Sequence, residues 1–346
     1  MTRANVEITR RQFGLALTSL GVLGGVPFAT PALAADTVRH GIQIGALGAL
    51  RTTLPETAAQ QDIKYDYKDF RDSTAVLLAL EQGELEIGNT TTQHLIRAIS
   101  EGIPVKWVAG WGGGYNVLVA RKGLKVNPGD TASLMTLITS SKQGGKPIAI
   151  GVPTGSLQHA KLSVFLKSLA VDSEKDVQIA NIPFPNHPRA LEAGEVDLAM
   201  TLSAFGAIAI DKGDGFLFAH LFGGNFGKQE VGFIVTDKLI GDKPDLMQRI
   251  VNSHVAAMNM FIGKPEKQIE FEKKYSRLPE AVINMQERQF LQYSYRTNVN
   301  DIKAMARELH QLRWVKEDYG NKVDSYLDFR FLAKATGLSP ADLSQW

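Results

Sequence analysis

The sequence predicts an α/β protein of two similarly built lobes followed by a run of C-terminal helices. Three observations carry this. Short apolar runs alternate with helical segments from residue 38 to 236. The segment Ala79-Leu80-Glu81-Gln82-Gly83-Glu84-Leu85-Glu86-Ile87 recurs at an offset of 111 residues as Ala190-Leu191-Glu192-Ala193-Gly194-Glu195-Val196-Asp197-Leu198, with five identities and three close replacements. Such self-similarity is the mark of a duplicated unit. Finally, 346 residues that are 44% hydrophobic and 21% charged suffice for two lobes and exclude a disordered chain.

Taken in order, the pattern gives strands at Val38 to Ile44 and Ile63 to Phe70, a helix at Thr74 to Gln82, a strand at Leu85 to Gly88 and a helix at Gln93 to Ser100. Strands Val105 to Ala109 and Asn116 to Ala120 follow, joined by Trp111-Gly112-Gly113-Gly114-Tyr115, which reads as a flexible connector or as a place where the backbone approaches a ligand. A polar helix near Ser133 to Ser141 precedes a strand at Ile148 to Val152. The alternation then repeats with helix Leu157 to Leu169, strand Val177 to Ile182, helix Pro188 to Ala193, strand Val196 to Met200 and helix Ala204 to Ile210. Strands near Phe216 to Leu221 and at Val231 to Thr236 complete it, and from Lys243 to about Ala335 the chain reads as charged, amphipathic helix whose Met247, Met258, Met260 and Met285 fill a core. Parallel α/β layering is expected from this alternation.

In each copy of the repeat the glycine suits a left-handed helix cap, a short buried strand follows, and a hydroxyl-bearing turn, Thr90-Thr91-Thr92 or Thr201-Leu202-Ser203, opens the next helix. Loops beyond the carboxyl ends of strands form the ligand crevice of an open α/β sheet, so the two turns are expected on opposite walls of one cleft. Gly151-Val152-Pro153-Thr154-Gly155-Ser156-Leu157-Gln158-His159 reads as a third such helix start, with backbone N–H groups facing that cleft; Asp72-Ser73-Thr74 is a fourth. An ordinary serine N-cap would account for Ser156 taken singly, and the convergence of four starts favours a site. Phe184, His187 and Phe205 read as packing residues.

Residues 1–34 have the order of a cleavable export signal: Arg10-Arg11 in a basic start, an apolar stretch to Phe28, then Ala32-Leu33-Ala34. The paired arginines resemble the twin-arginine motif, with Gly14 where leucine is usual. Gly21, Gly24, Gly25, Pro27 and Thr30 interrupt the stretch and argue against a membrane anchor. Without this segment Lys plus Arg and Asp plus Glu number 35 each, so the remainder is neutral and gives no support to nucleic-acid or anionic-lipid binding. The absence of cysteine excludes disulfides and thiolate chemistry. The seven histidines lack ligand spacing, and no HExxH, GxSxG or phosphate-loop motif is present, so neither a metal, a cofactor nor an enzymatic function is expected.

On Ala79 to Gly88 with its threonine run, Gly151 to His159, and Pro183 to Asp197, the chain resembles the solute-binding proteins of ABC importers for nitrate, sulfonates and taurine, which also include binders of thiamine-precursor pyrimidines and aromatic carboxylates. The resemblance spans about residues 38 to 335. It implies the two-lobed type II periplasmic binding fold, with a signal at 1–34, lobe 1 at 35–122, lobe 2 at 123–229, a return to lobe 1 with C-terminal helices at 230–346, and hinge segments near Arg121 and Glu230. It places Gly45, Ala46, Leu47, Ser73, Thr90, Thr91, Trp111, Thr154, Gly155, Ser156 and Ser203 around the ligand. It further implies a periplasmic monomer that captures a small organic anion and delivers it to a permease and its ATPase. A neutral heterocycle is the alternative, calling for carboxylate or amide partners; an enzyme on the same fold, such as a desulfinase, would need a cysteine. Two departures bear on the ligand: Thr201-Leu202-Ser203-Ala204 stands where sulfonate binders commonly have a Trp-Asp-Pro turn, and Gly45 to Leu50 is apolar.

Overall fold

The computed structural model describes residues 35–43 and 48–346. The export segment and the loop positions Gly45, Ala46 and Leu47 lie outside the described residues. Within them, no helix is long and apolar enough to cross a membrane.

The first half of the chain runs β1 (Asp36–Gln43), α1 (Gly48–Ala59), β2 (Ile63–Phe70), α2 (Ser73–Glu81), β3 (Ile87–Thr91), α3 (Thr92–Glu101) and β4 (Val105–Gly113). Then come β5 (Asn116–Arg121), α4 (Thr131–Gln143), β6 (Ala149–Val152), α5 (Leu157–Ser168), β7 (Gln178–Asn181), α6 (His187–Glu192), β8 (Leu198–Leu202), α7 (Ser203–Asp211) and β9 (Gly215–His220). The last part holds β10 (Val231–Thr236), α8 (Asp237–Asp242), α9 (Pro244–Phe261), α10 (Pro265–Tyr275), α11 (Glu280–Met285), β11 (Gln292–Tyr293), α12 (Val299–Gln311), α13 (Arg330–Thr336) and α14 (Pro340–Leu343).

The strands form two sheets of matching plan. One has the order β11-β4-β10-β3-β1-β2 and the other β7-β6-β8-β5-β9. In each, a central strand (β1 or β6) is flanked by two parallel neighbours, and a fourth strand (β10 or β5) runs antiparallel to the third. Both sheets are therefore mixed, not parallel throughout. The physical reason is connectivity: β5 and β10 are the strands on which the chain crosses from one sheet to the other, so each arrives from the opposite end.

The repeat expected from sequence is the α2–β3 and α6–β8 pair. Its two copies close alike: the amides of Glu84 and Leu85 both donate to the Ala79 carbonyl, and those of Glu195 and Val196 to that of Ala190. Gly83 and Gly194 sit at φ +72° and +69° between helix and strand, a conformation that disfavours any residue with a Cβ. The acidic residue that follows accepts from the central strand in both copies, Glu86 from the Arg39 amide at 3.1 Å and Asp197 from the Ala149 amide at 3.0 Å.

Antiparallel pairing lengthens β3 and β8 beyond the expected Gly88 and Met200. Thr90 and Thr91 pair with Gly232 and Val231, and Thr201 and Leu202 with Val117 and Asn116. The predicted hydroxyl turns are thus strand ends running directly into α3 and α7. The predicted connector at 111–113 is likewise strand, paired with β10 and β11. The connector's glycines admit other backbone rather than a ligand: a Cβ on Gly112 would stand 2.3 Å from the Gln292 carbonyl oxygen, one on Gly113 2.1 Å from that of Lys228 and one on Gly114 1.9 Å from that of Phe290. The first crossover accordingly lies at Gly114 and Tyr115, ahead of the expected position near Arg121, because β5 is wholly a strand of the second sheet.

Helix α1 has no counterpart in the sequence expectation. It packs on α9, where the Thr57 and Ser253 hydroxyls meet at 2.9 Å. The C-terminal region is helical as expected, except for β11 on the edge of the first sheet. Met247 and Met258 are fully buried, and Met260 and Met285 pack against the cores.

Candidate functional site

A cleft of about 130 Å³ lies between the two sheets. Its walls come from both: Gln43, Asp72, Ser73, Thr74, Asn89, Thr91 and His94 on the first side, and Thr154, Gly155, Ser156, Gln158, Phe184 and Leu202 on the second. Tyr115 and Glu230, one from each crossover, line it between them. This is the place that the switch in strand order of an open α/β sheet creates for a ligand.

On the first side, Asp72 caps α2 by accepting from the Ala75 amide at 2.9 Å, and the Ser73 hydroxyl donates to Gln43 Oε1 at 2.8 Å. His94, on the first turn of α3, is held at both ring nitrogens, by Thr91 Oγ1 at 2.8 Å and Thr74 Oγ1 at 3.0 Å. Burial lowers its pKa to about 4, with Arg97 contributing and Asp72 opposing, so the ring is neutral near pH 7. Asn89 Oδ1 is bonded to His40 Nε2 at 2.8 Å, while its Nδ2, buried on the cleft wall, has no protein partner. The Tyr115 hydroxyl is also buried and without a hydrogen-bond partner. Burial, then the nearby carboxylates Glu287, Glu230 and Glu272, raise its pKa well above the usual value, so it remains a donor. A buried polar atom without a partner costs about 1–3 kcal/mol, which a ligand or an ordered water would recover.

On the second side, Ser156 caps α5 by accepting from the His159 amide at 3.2 Å, and its hydroxyl donates to the Pro153 carbonyl at 2.7 Å. Three backbone donors of the loop before α5 are engaged: the Thr154 amide donates to Asn181 Oδ1 at 3.0 Å, that of Gly155 to His159 Nδ1 at 3.1 Å, and that of Ser156 to the Pro153 carbonyl at 3.3 Å. The amides of Thr92 and Ser203 are engaged as well, by the Glu230 and Tyr115 carbonyls. The first-turn residues of α2 (Ser73, Thr74) and of α5 (Leu157, Gln158) line the cleft as well, and amides at such positions have no partner within the helix, so backbone and side chains together supply the available donors.

Of the residues expected from sequence, the structure brings Ser73, Thr91, Thr154, Gly155 and Ser156 together on the cleft wall. It does not bring Thr90, Trp111 or Ser203 there. Thr90 and Ser203 are each only 1% exposed; alternation along the lengthened β3 turns Thr90 away from the face that Thr91 presents to the cleft, and Ser203 is the first residue of α7. Trp111 is fully buried within the first half, edge-on to His40 and beside Phe233 and His254. His187 is a packing residue as expected, its Nε2 meeting the Ile182 carbonyl at 2.9 Å, whereas Phe184 lines the cleft.

Sequence reasoning missed Asn89, His94, Gln158 and Glu230 as cleft residues. The available signal was position: Asn89 begins the threonine run, Gln158 follows the Ser156 cap, and Glu230 immediately precedes the returning strand. Neither Lys nor Arg lines the cleft among the described residues, and no cluster of metal-binding type is present among them. Glu230 is instead neutralised from behind by Lys161, 2.5 Å away and only 2% exposed.

Three contacts join the two sides beside the cleft. Gln93 Nε2 donates to the Gly155 carbonyl at 2.7 Å, the His159 and Trp314 rings meet at 4.9 Å, and Lys167 donates to Gln311.

A family model described as the NMT1-like family matches residues 55–272. No curated protein matches the sequence. Several solved structures share the architecture. The alkanesulfonate-binding protein SsuA from Xanthomonas axonopodis pv. citri, bound to MOPS, is 16% identical with a TM-score of 0.68, over 85% of this chain and 98% of that one. The periplasmic nitrate-binding protein NrtA from Synechocystis PCC 6803 is 13% identical with a TM-score of 0.72, over 89% and 91%. A ligand-binding component of an ABC-type import system from Staphylococcus aureus, with zinc bound, is 15% identical with a TM-score of 0.71, over 87% and 99%. At these identities the similarity shows the periplasmic binding protein fold.

Proposed function

The chain belongs to the NMT1-like family, and from that premise we propose that it is the solute-binding component of an ABC importer, exported to the periplasm and working as a monomer. The observation that carries the reading is the cleft itself, walled by two sheets of the same plan and lined at the crossovers by Tyr115 and Glu230. In this reading, the expected first-lobe boundary at 122 moves back to Tyr115, so that residues 35–115 and 230–346 form one lobe and residues 116–229, with β5, the other. A small solute enters the open cleft, is enclosed, and is handed to a permease without chemical change. The segment at 1–34 is removed after twin-arginine export. Three or four hydrogen bonds at about 1.5–3 kcal/mol each, less ordering and desolvation costs, reach the ~8 kcal/mol of micromolar binding.

Two ligand classes fit this cleft, and different observations support each. A small organic anion is supported by the fold relatives whose ligands are alkanesulfonate and nitrate, and here by the starts of α2 at Ser73 and Thr74 and of α5 at Leu157 and Gln158, which face the cleft beside Thr154. A neutral heterocycle is favoured by the amides Gln43, Asn89 and Gln158 and by two carboxylates, Asp72 and Glu230, on the wall.

A thermal-shift panel of alkanesulfonates, nitrate, aromatic carboxylates and pyrimidines on the purified chain separates them. At a hundredfold excess over Kd, a true ligand adds about 2.7 kcal/mol, a rise in melting temperature on the order of 5 °C. Stabilisation by the anions alone selects the first class and by pyrimidines alone the second. Turnover of any of them overturns the transport reading.

A further inference from the structure

Glu230 sits where the chain returns to the first sheet, and its oxygens bind three separate segments. Its carbonyl accepts from the Thr92 amide at the start of α3 at 3.0 Å. Carboxylate Oε2 accepts from the Tyr115 amide on the first crossover at 2.8 Å, and Oε1 accepts from Lys161 Nζ on α5 at 2.5 Å. Lys161 Nζ also donates to the Leu221 carbonyl at the end of β9 at 3.2 Å. Neither charged side chain is more than 2% exposed.

A buried ion pair of this kind is weak evidence for stability. Desolvating both charges consumes most of their attraction, and well-packed apolar pairs of similar volume are often as stable or more so. What the pair has is geometry, because it is satisfied only while α5 lies against both crossovers. The same helix starts at the loop that receives Gln93 and bears His159, which meets Trp314. If α5 swings away from the first sheet, Lys161 must leave Glu230, and both charges then face the water of the open cleft. Closing reverses this, excluding water from a wall that Glu230 itself lines and strengthening the attraction in the drier site.

We infer that Glu230 is the positioning residue that holds both crossovers and α5 in the closed arrangement through its pairing with Lys161. This rests on the two-lobed binding reading and goes beyond it, by naming the element that sets the closing equilibrium. The chain has no cysteine, so nitroxides on Asp66→Cys and Gln143→Cys, both exposed, report the distance between the two sides by pulsed dipolar spectroscopy without any solute. In the parent, a short-distance population corresponding to the closed form is expected. In Lys161→Met/Glu230→Gln, which leaves no unpaired buried charge, that population falls several-fold while the far-UV spectrum stays native. An unchanged distribution overturns the inference. Should the double variant lack the native spectrum, Lys161→Gln/Glu230→Gln, which also buries no charge and keeps an acceptor for the Tyr115 amide, is read by the same criterion. Pair-dependent closing in a chain that no compound of the panel stabilises would leave this inference standing and remove support from the transport reading; solute binding with pair-independent closing would do the reverse.

Discussion

Gln93 Nε2 reaches the Gly155 carbonyl at 2.7 Å and so joins the start of α3 to the loop before α5 beside the cleft. This bond can exist only in the closed form. Its net worth is about 0.5–1.5 kcal/mol, so Gln93→Ala is expected to weaken binding of a panel compound roughly fivefold, by isothermal calorimetry, with little change in the unfolding midpoint of the solute-free chain.

Trp314 and His159 form the second contact beside the cleft, with ring centroids 4.9 Å apart. An aromatic pair of this geometry contributes about 0.5–1.5 kcal/mol beyond its buried area. Trp314→Ala should weaken the same compound by about tenfold at most, and combined with Gln93→Ala the losses should depart from additivity, because the Gly155 amide donates to His159 and links the two contacts.

Three buried histidines set an acid limit. Burial is the main cause that lowers His94, His187 and His254 to about pH 4, whereas an imidazole in the unfolded chain takes up a proton near pH 6.5. Between these values the unfolded state binds more protons, so this stability is complete above about pH 6.5 and is lost as pH falls toward 4. The loss is on the order of 3 kcal/mol per histidine. Urea midpoints measured between pH 7.5 and 4.5 should fall steeply, and His187→Gln, remote from the proposed ligand, should flatten the slope by one proton. An unchanged slope in that variant would count against the assignment.

Glu287 runs the other way. Desolvation, helped by the charge of Glu272, raises its pKa to about 8, and the Tyr293 hydroxyl donates to it at 3.3 Å. The native state keeps a proton that the unfolded chain releases near pH 4.5, so this contribution is present below that pH and is lost as pH rises to 8. Glu287→Gln should therefore gain stability relative to the parent as pH rises, by on the order of 5 kcal/mol at most. Paired urea titrations at pH 5 and 8.5 check it.

The duplicated caps offer an internal control. Gly83 and Gly194 have nothing within 4 Å of where a Cβ would stand, so an alanine there meets only the cost of its left-handed backbone. Gly83→Ala and Gly194→Ala are each expected to destabilise by about 1–2 kcal/mol, equally within error, in chemical denaturation. A large inequality would mean that the two copies are not equivalent in energy.

Much of this architecture is legible in the residues themselves. The alternation of apolar runs with helical segments, the nine-residue repeat and the glycine after each helix are local signals, and the structure places them in equivalent positions of two sheets. The cleft was legible only in part. Ser73, Thr91 and Thr154 to Ser156 could be found because cap chemistry is local, whereas Thr90 and Ser203 were misplaced because strand length depends on β10 and β5, which arrive from far along the chain.

The sequence by itself determined the element order from β2 to β10, the nine-residue repeat and, beyond residue 34, the neutral, cysteine-free character of the chain. Only the tertiary structure decided that Trp111 is core, that the amides of Thr154 to Ser156 are already engaged, and that Glu230 meets Lys161 across 69 positions. The reason is range: caps and periodicity are set within a few residues, but a polar side chain takes its role from the partners that folding brings to it.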